Sequence, residues 1–211
     1  MTIYLVRHGL AMAGVEDLDP GLADLGHEQA RATADALRER HAVRLVVSPL
    51  RRTRETAIPI AQTLALEPEF RDEVAEVFDP RMEAGARRAM IGPFMAGRWS
   101  EQPEALRAWR QRAIDTLLEL ALAASAADGD LVVVSHYIAI CAAIGEAMSD
   151  DRVVPVPLAN CSITSLEVGD AGFALLEAGA TRHLGPALLT GVNTATMGAA
   201  SDISGVAGCP E

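Results

Sequence analysis

The sequence predicts an α/β fold of three layers (αβα), in which helices cover both faces of a mostly parallel central sheet. Three short apolar runs, rich in β-branched residues, have the length of strands that are buried on both faces. A helical pattern follows each run, and this alternation is typical of a parallel sheet. Later in the chain, two further apolar runs are separated by Gly-Asp-Ala-Gly, which predicts a hairpin at a sheet edge.

The predicted elements follow one another in a regular order. Strands are expected at residues 2–6, 44–48 and 131–135, helices at 22–40, 51–65, 104–126 and 138–148, and the hairpin strands at 162–168 and 173–178. Pro59 lies within the second helical pattern, where its ring predicts a bend or a helix boundary. We expect one domain over residues 1–186, and a tail rich in Gly, Ala, Ser and Thr over residues 187–211.

One segment, at about residues 78–103, fits neither the strand nor the helix pattern well. It contains several prolines and methionines, Trp99 and four arginines, which are Arg81, Arg87, Arg88 and Arg98. We interpret this segment as an inserted, partly helical flap. Its arginines are candidates for contact with an anionic part of a substrate, and a solvated flap surface is the equal alternative.

Charge and composition argue against two classes of partner. The formal net charge is −11, so the average field of the protein repels nucleic acid and anionic membrane surfaces. No run approaches the roughly 20 apolar residues of a membrane helix, and no signal peptide precedes the first strand, so a cytoplasmic protein is expected. Cys141, Cys161 and Cys209 have no CxxC spacing, which favours neither a disulfide framework nor a zinc site.

Charged and imidazole side chains stand at the ends of the three predicted parallel strands. Arg7 and His8 end the first strand, Arg52 comes shortly after the second, and His136 directly follows the third. The carboxyl ends of parallel strands meet at one edge of a sheet, where ligands of such folds bind. We therefore expect these four side chains to share one pocket.

This set of side chains suits the transfer of a phosphoryl group. Arginine forks bind phosphate oxygens in pairs and stay charged. A neutral imidazole is nucleophilic at neutral pH, and a second, protonated histidine would balance charge on the phosphate oxygens. The sequence contains no evident carboxylate cluster for magnesium or a metal pair. The predicted chemistry is therefore a metal-free transfer through a phosphohistidine, with no cofactor.

Several motifs give the chain a resemblance to a known family. YLVRHG, DPGLADLGHEQA, VVSPLRRTRETA and VVVSHYIAI occur in the family's order and cover roughly residues 2–145, and NCSITSLEV matches a late strand. With these motifs the chain resembles the histidine phosphatase superfamily, which is also called phosphoglycerate mutase-like. The resemblance implies the three-layer fold of that family and a phosphohistidine intermediate.

The resemblance also implies roles for the residues at the strand ends. His8 is the nucleophile that accepts the phosphoryl group. Arg7 and Arg52 hold the phosphate oxygens, and Arg52 fits the family's spacing better than its arginine neighbours do. His136 is the second histidine, which binds the phosphate and stabilises the transferring group.

A glutamate acts as the general acid in this family. In FRDEVAEVFDP, Glu76 stands at the matching place, and Glu73 is the weaker alternative. The acid would protonate the leaving oxygen and then help to deprotonate the attacking water. We expect a raised pKa for Glu76, because the group must be protonated at the first step.

The chain departs from the family pattern next to both histidines. Many members have Glu-Thr after Arg-His-Gly, whereas this chain has Leu10 and Ala11, so that a hydroxyl donor is missing. The usual glycine after the second histidine is Tyr137 here, which narrows the nearby space. Gly9, Leu10, Tyr137 and Asn160 are the candidate residues of the substrate pocket.

The predicted function is the hydrolysis of a phosphorylated small molecule by a phosphomonoesterase of the histidine acid phosphatase type. A phosphoglycerate mutase-type phosphotransferase is the alternative enzyme, but the mutases that the chain resembles are longer and carry a basic insertion that has no counterpart here. A catalytically quiet module that binds a phosphorylated ligand is the alternative from another class. The edge hairpin would allow a homodimer, which nothing in the sequence requires.

Overall fold

A mixed sheet of six strands lies at the centre of the computed structural model, which describes residues 1–12, 17–78, 84–169 and 171–191. The strands are β1 (Thr2–Arg7), β2 (Ala42–Val47), β3 (Pro68–Phe70), β4 (Asp130–Ser135), β5 (Ile163–Gly169) and β6 (Gly172–Ala180). Their order across the sheet is β3-β2-β4-β1-β5-β6. β1 to β4 pair in parallel, whereas β5 is antiparallel to both β1 and β6. The predicted mostly parallel sheet with an edge hairpin is confirmed.

Helices cover both faces of this sheet and complete the three predicted layers. They are α1 (Asp24–Leu37), α2 (Arg51–Leu64), α3 (Ala84–Ala96), α4 (Glu104–Ser125) and α5 (Tyr137–Met148). Ile3 and Leu5 of β1 pack in one cluster with α4 and α5, whereas Tyr4 and Val6 pack in another with α1 and α2. Side chains alternate along a strand, so one apolar run serves both cores. None of the described helices has the length and apolar character needed to cross a bilayer.

Two local features differ from the sequence prediction. β3 was not predicted, because it has only three residues, begins with a proline and lies at the sheet edge. Pro59 lies inside α2, so of the two predicted alternatives the helix boundary is wrong. Ala57 and Ile60 are buried in the core on either side of it, and this packing keeps the helix intact where the proline removes a backbone hydrogen bond.

The carboxyl ends of the parallel strands lie at one level. Arg7 of β1 is in register with Ser135 of β4. Beyond the strand ends, the backbone N–H of His8 donates to the Ser135 carbonyl at 3.0 Å, and that of Ser48 donates to the Val134 carbonyl at 3.0 Å. The residues that follow each strand are thus held side by side at one edge of the sheet.

The predicted flap contains α3 and a 3-10 turn at Trp99–Glu101. Trp99 is buried, lies edge-on to Phe94 at 5.6 Å between ring centroids, and stacks on Trp109 of α4 at 6.1 Å. Phe94 in turn meets Phe78 edge-on at 5.1 Å. This aromatic cluster fastens the flap to α4, so both tryptophans are packing residues at that junction.

The C-terminal segment packs against α1 as far as the structure describes it. After a 3-10 turn at Pro186–Leu188, the chain passes the buried side chain of Gln29. The Gln29 amide donates to the Leu188 carbonyl and to Oγ1 of Thr190, both at 2.7 Å. Residues 192–211 of the predicted tail, including Cys209, lie outside the described residues.

Candidate active site

A cavity of about 680 Å³ opens at the carboxyl edge of the parallel strands. Its lining includes five residues that were selected from the sequence, which are Arg7, His8, Arg52, Glu76 and Tyr137. His136 lies behind them, fully buried, with its ring centroid 5.2 Å from that of His8. Side chains from three strand ends therefore meet at one place.

The His8 imidazole is held in one tautomer. Nδ1 lies 2.8 Å from the carbonyl oxygen of Gly9, which can only accept, so Nδ1 carries the proton. Nε2 accepts a hydrogen bond from Nε of Arg52 at 3.3 Å, so this nitrogen is unprotonated and its lone pair is directed at the guanidinium. Burial, together with the positive charge of Arg52, lowers the pKa of His8 to about 3. The ring is thus neutral and nucleophilic at neutral pH.

Backbone hydrogen bonds and close packing hold the loop after β1. The Gly9 N–H donates to Oγ1 of Thr56 at 3.0 Å, and the Leu10 N–H donates to Oε1 of Gln29 at 2.8 Å. A Cβ on Gly9 would lie 2.7 Å from the carbonyl oxygen of Gly26, so only glycine fits there. Neither Gly9 nor Leu10 lines the cavity. Both were expected in the substrate pocket, and the structure gives them a supporting position instead.

Arg52 joins the two histidines. Its guanidinium donates from Nη2 to Nδ1 of His136 at 3.2 Å while its Nε donates to His8. Because a guanidinium only donates, Nδ1 of His136 is the acceptor and Nε2 carries the proton. Nε2 then donates to Oγ of Ser48 at 2.7 Å. Arg52 lies at the start of α2, where the helix dipole also favours an anion.

The protonation of His136 differs from the expectation. Burial lowers its pKa well below the ordinary value, and the neighbouring His8 and Arg52 act in the same direction. The neutral form is therefore favoured, whereas the sequence analysis expected a cation. A phosphoryl dianion beside the ring would oppose this shift, because an anion stabilises an imidazolium.

Arg7 is fixed by its surroundings on the other side of His8. Its Nη1 donates to the Leu158 carbonyl at 2.5 Å, and its guanidinium carbon lies 4.8 Å from the centre of the Tyr137 ring. Nε of Arg7 is buried and has no hydrogen-bond partner within the described part of the chain. A buried guanidinium with an unused donor is suited to bind an anion.

Glu76 is placed in the cavity by the end of β4. Oγ of Ser135 donates to the Val74 carbonyl at 2.6 Å, which holds the glutamate segment against the sheet. Oε1 of Glu76 accepts from the Val77 N–H at 3.0 Å. Burial nevertheless raises the pKa of Glu76, as expected for an acid. Glu73, the weaker alternative, is exposed.

Asn160 does not line the cavity but supports it from behind. This buried side chain donates from Nδ2 to the His8 carbonyl at 3.2 Å and accepts from Oγ1 of Thr190 at 3.1 Å. The next residue, Gly191, lines the cavity with a φ of 76°. A Cβ there would lie 2.5 Å from Oδ1 of Asn160 and 2.8 Å from Nη1 of Arg7. Sequence reasoning missed Gly191, because one glycine in a small-residue tail carries no signal.

The remaining wall of the cavity is largely apolar. Its apolar side chains are Leu18 of the loop after β1, Val77 and Phe78 next to Glu76, Ile91 and Met95 of α3, and Pro157 of the loop after α5. Asp17 adds a carboxylate. Sequence analysis singled out none of these residues. Arg98 does not line the cavity, whereas Arg81 and the side chains of Arg87 and Arg88 lie outside the described residues. Among the residues that are described, no group of three or more His, Cys, Asp or Glu could hold a metal ion.

Comparison with protein families identifies the chain. A family model described as histidine phosphatase superfamily, branch 1, matches residues 3–181. The chain belongs to this superfamily. No curated protein matches it in sequence.

Solved structures of low sequence identity share the fold of this superfamily member. A mycobacterial glucosyl-3-phosphoglycerate phosphatase has a TM-score of 0.67 at 20% identity, covering 85% of this chain and 99% of its own. A phosphoserine phosphatase from Entamoeba histolytica, in complex with 3-phosphoglyceric acid, has a TM-score of 0.67 at 19% identity. The match covers 87% of this chain and 98% of that phosphatase. YhfR from Bacillus stearothermophilus has a TM-score of 0.70 at 19% identity, and the match covers 86% of this chain and 98% of YhfR.

The departure from the superfamily pattern at Tyr137 has a structural counterpart. Where many members have glycine, the tyrosine ring lies against the Arg7 guanidinium and lines the cavity. Such a cation–π contact keeps the guanidinium oriented when it is partly desolvated. In this histidine phosphatase superfamily member, Tyr137 thus contributes both to the orientation of Arg7 and to the shape of the cavity.

Proposed function

We propose that the protein is a phosphomonoester hydrolase that acts through a phosphohistidine on His8. The observation that carries this proposal is the neutral His8 ring, which lines a cavity together with two guanidinium groups and whose unprotonated Nε2 lies beside that of Arg52, where a bound phosphoryl group would replace His8 as the acceptor. A nucleophile in this setting needs no deprotonation before attack. Arg7, Arg52 and His136 would balance the charge on the phosphoryl oxygens.

In the first step, Nε2 of His8 attacks the phosphorus atom. The bond between phosphorus and the leaving oxygen breaks, and the electron pair of that bond stays on the oxygen. Glu76 donates a proton to this oxygen, and the alcohol departs. Burial raises the pKa of Glu76, which favours the protonated form that the first step requires.

In the second step, water attacks the phosphorus atom of the phosphohistidine. The bond between phosphorus and Nε2 breaks, and its electron pair returns to the ring. The Glu76 carboxylate accepts the proton of the attacking water, which restores the acid for the next turnover. Inorganic phosphate then leaves the cavity.

Three observations favour hydrolysis over the alternatives. The structural neighbours with this fold include proteins named as phosphatases of glucosyl-3-phosphoglycerate and of phosphoserine. A mutase must hold a bisphosphate, but Arg7 and Arg52 are the only cationic side chains among the described lining residues. The presence of an acid, Glu76, beside the histidines argues against a module that only binds phosphate.

Hydrolysis of p-nitrophenyl phosphate at mildly acidic pH tests the proposal. We expect turnover in the wild type, and an alkaline quench with radiolabelled substrate should trap a phosphoenzyme that is stable to base and labile to acid. His8→Ala should lose both, whereas His41→Ala, a change at an exposed histidine, should retain them. Turnover or label that persists in His8→Ala would overturn the phosphohistidine, and inactivation by a chelator would overturn metal independence.

The cytoplasmic location expected from the sequence, and the homodimer that the edge hairpin would allow, remain predictions. Size-exclusion chromatography with light scattering measures the oligomeric state directly. Pairing through β6 would be expected to yield a dimer that a charged substitution at the exposed Leu176 disrupts.

A further inference from the structure

We infer that the alcohol part of the substrate is uncharged and apolar, such as an aryl or alkyl group. This inference rests on the proposed function and specifies the class of phosphomonoester. The phosphoryl group would occupy the strand-end part of the cavity, which contains His8 and the two guanidinium groups. The alcohol would then lie in the outer part, against the flap.

The outer part of the cavity is built for apolar contact. Leu18, on the loop after β1, and Ile91, on α3, both line it although they are 47% and 38% exposed. Met95 and Phe78 continue this surface inward. Large apolar side chains that line one cavity and remain exposed mark a surface that an apolar ligand covers.

The flap side of this surface has a firm support. Phe78 is nearly buried and meets Phe94, which meets the buried Trp99. The cavity wall at the flap is therefore anchored to an aromatic cluster. A rigid apolar wall favours a ligand group of matching polarity, because a charged group placed against it would lose its hydration.

The charges around the outer part disfavour a second anionic group. Asp17 lines the cavity and lies 4.0 Å from Arg51. Arg51 does not line the cavity, and it pairs with Glu55 at 2.7 Å. Among the described lining residues, the cations are Arg7 and Arg52, both at the phosphoryl end. A carboxylate on the alcohol would thus meet a carboxylate and an apolar wall.

A pair of matched esters tests the inference. We expect kcat/KM for phenyl phosphate to exceed that for 4-carboxyphenyl phosphate by about tenfold or more, because the two differ by one charge in the outer cavity. Binding of the non-hydrolysable phenylphosphonate and 4-carboxyphenylphosphonate, measured by calorimetry, should show the same order. Equal values, or a preference for the carboxylated compounds, would overturn the inference.

Substitutions locate the preference in the outer cavity. Ile91→Arg should reverse the preference for phenyl phosphate or bring the ratio of the two kcat/KM values close to one. Asp17→Asn should lower this ratio by about threefold, the effect of one exposed charge. Asp115→Asn makes the same charge change on α4, away from the lining, and should leave the ratio unchanged. A ratio that responds equally to Asp17→Asn and Asp115→Asn would overturn the placement.

The phosphonate measurement separates this inference from the proposed function. A protein that binds phenylphosphonate in preference to its carboxylated analogue, but hydrolyses neither ester, would contradict the hydrolase and leave the ligand class supported. A protein that hydrolyses both esters with equal kcat/KM would support the hydrolase and contradict the ligand class.

Discussion

The two parts of the cavity are built in different ways. At the phosphoryl end, the side chains stand at strand ends and are held by directional hydrogen bonds, as Arg52 is held between two imidazoles. In the outer part the lining is largely apolar, and Val77, Phe78 and Met95 belong to one packed apolar cluster. Packing tolerates exchange of similar groups, whereas a hydrogen-bonded network does not. Changes at the phosphoryl end should therefore remove activity, and changes in the outer part should redirect it.

The largest effect should come from Glu76→Gln, which breaks the phosphoryl end without changing its shape. The amide cannot donate the proton, so kcat for an alkyl phosphate should fall roughly 100- to 10,000-fold. The fall for p-nitrophenyl phosphate should be smaller, because nitrophenolate leaves without a proton. Glu73→Gln, the same change at an exposed site, is the control. Equal losses in the rate of phosphoenzyme formation for both substrates, measured in a single turnover, would contradict the acid role, because this step precedes the attack of water.

Arg52→Ala should reduce kcat/KM for any phosphomonoester by roughly 100- to 1,000-fold, as expected for the loss of a charged donor at the transferring group. Arg52→Lys should restore little of the lost kcat/KM, since one ammonium cannot donate to both imidazoles in the same geometry. Arg54→Ala is the control, because Arg54 lies over the Phe70 ring at 5.6 Å and outside the cavity lining. Similar losses in Arg52→Ala and Arg54→Ala would show that the effect is not local.

The buried imidazoles should make stability depend on pH. The pKa of His8 is lowered to about 3 and that of His136 also lies well below its ordinary value, so between about pH 6.5 and 3 the unfolded chain binds more protons. The free energy of unfolding should thus fall with decreasing pH, by up to about 1.4 kcal/mol per pH unit for each group. Urea unfolding from pH 7 to 5 should show a shallower fall for His8→Asn than for the wild type. Identical slopes would mean that His8 titrates normally in the folded protein.

Tyr137 lies at the boundary of the two parts, and its substitution should have the smallest effect. Tyr137→Gly removes the ring beside Arg7 and should raise KM for p-nitrophenyl phosphate about tenfold with little change in kcat. Tyr137→Phe keeps the ring and should stay near the wild-type KM. A rise in KM in Tyr137→Phe as large as in Tyr137→Gly would assign the effect to the hydroxyl and not to the ring.

The sequence was most informative where chemistry and strand ends coincide. Arg7, His8 and His136 directly end or follow short β-branched runs, so their meeting at one sheet edge could be derived from the parallel topology alone. The same runs gave the fold class, because burial on both faces leaves a continuous apolar pattern. Glu76 required the family pattern, since nothing in its own neighbourhood distinguishes it from Glu73.

The remaining parts depend on tertiary contacts that leave no local pattern. Gly9, Leu10 and Asn160 were expected to face a substrate, but a pattern cannot tell whether a residue next to a nucleophile faces the ligand or holds the loop. The apolar wall depends on how the flap folds back over the strand ends. Short edge strands such as β3 escape detection because three residues show no periodicity.

The hydrogen bonds of Gln29 and Asn160 join segments that lie far apart in the sequence. Leu10 and the His8 carbonyl are connected through these two amides to Thr190. The loop after β1 therefore acquires its full support only after the segment that contains Thr190 has packed against it. Proteolytic removal of that segment should thus loosen the surroundings of His8 while the sheet stays folded.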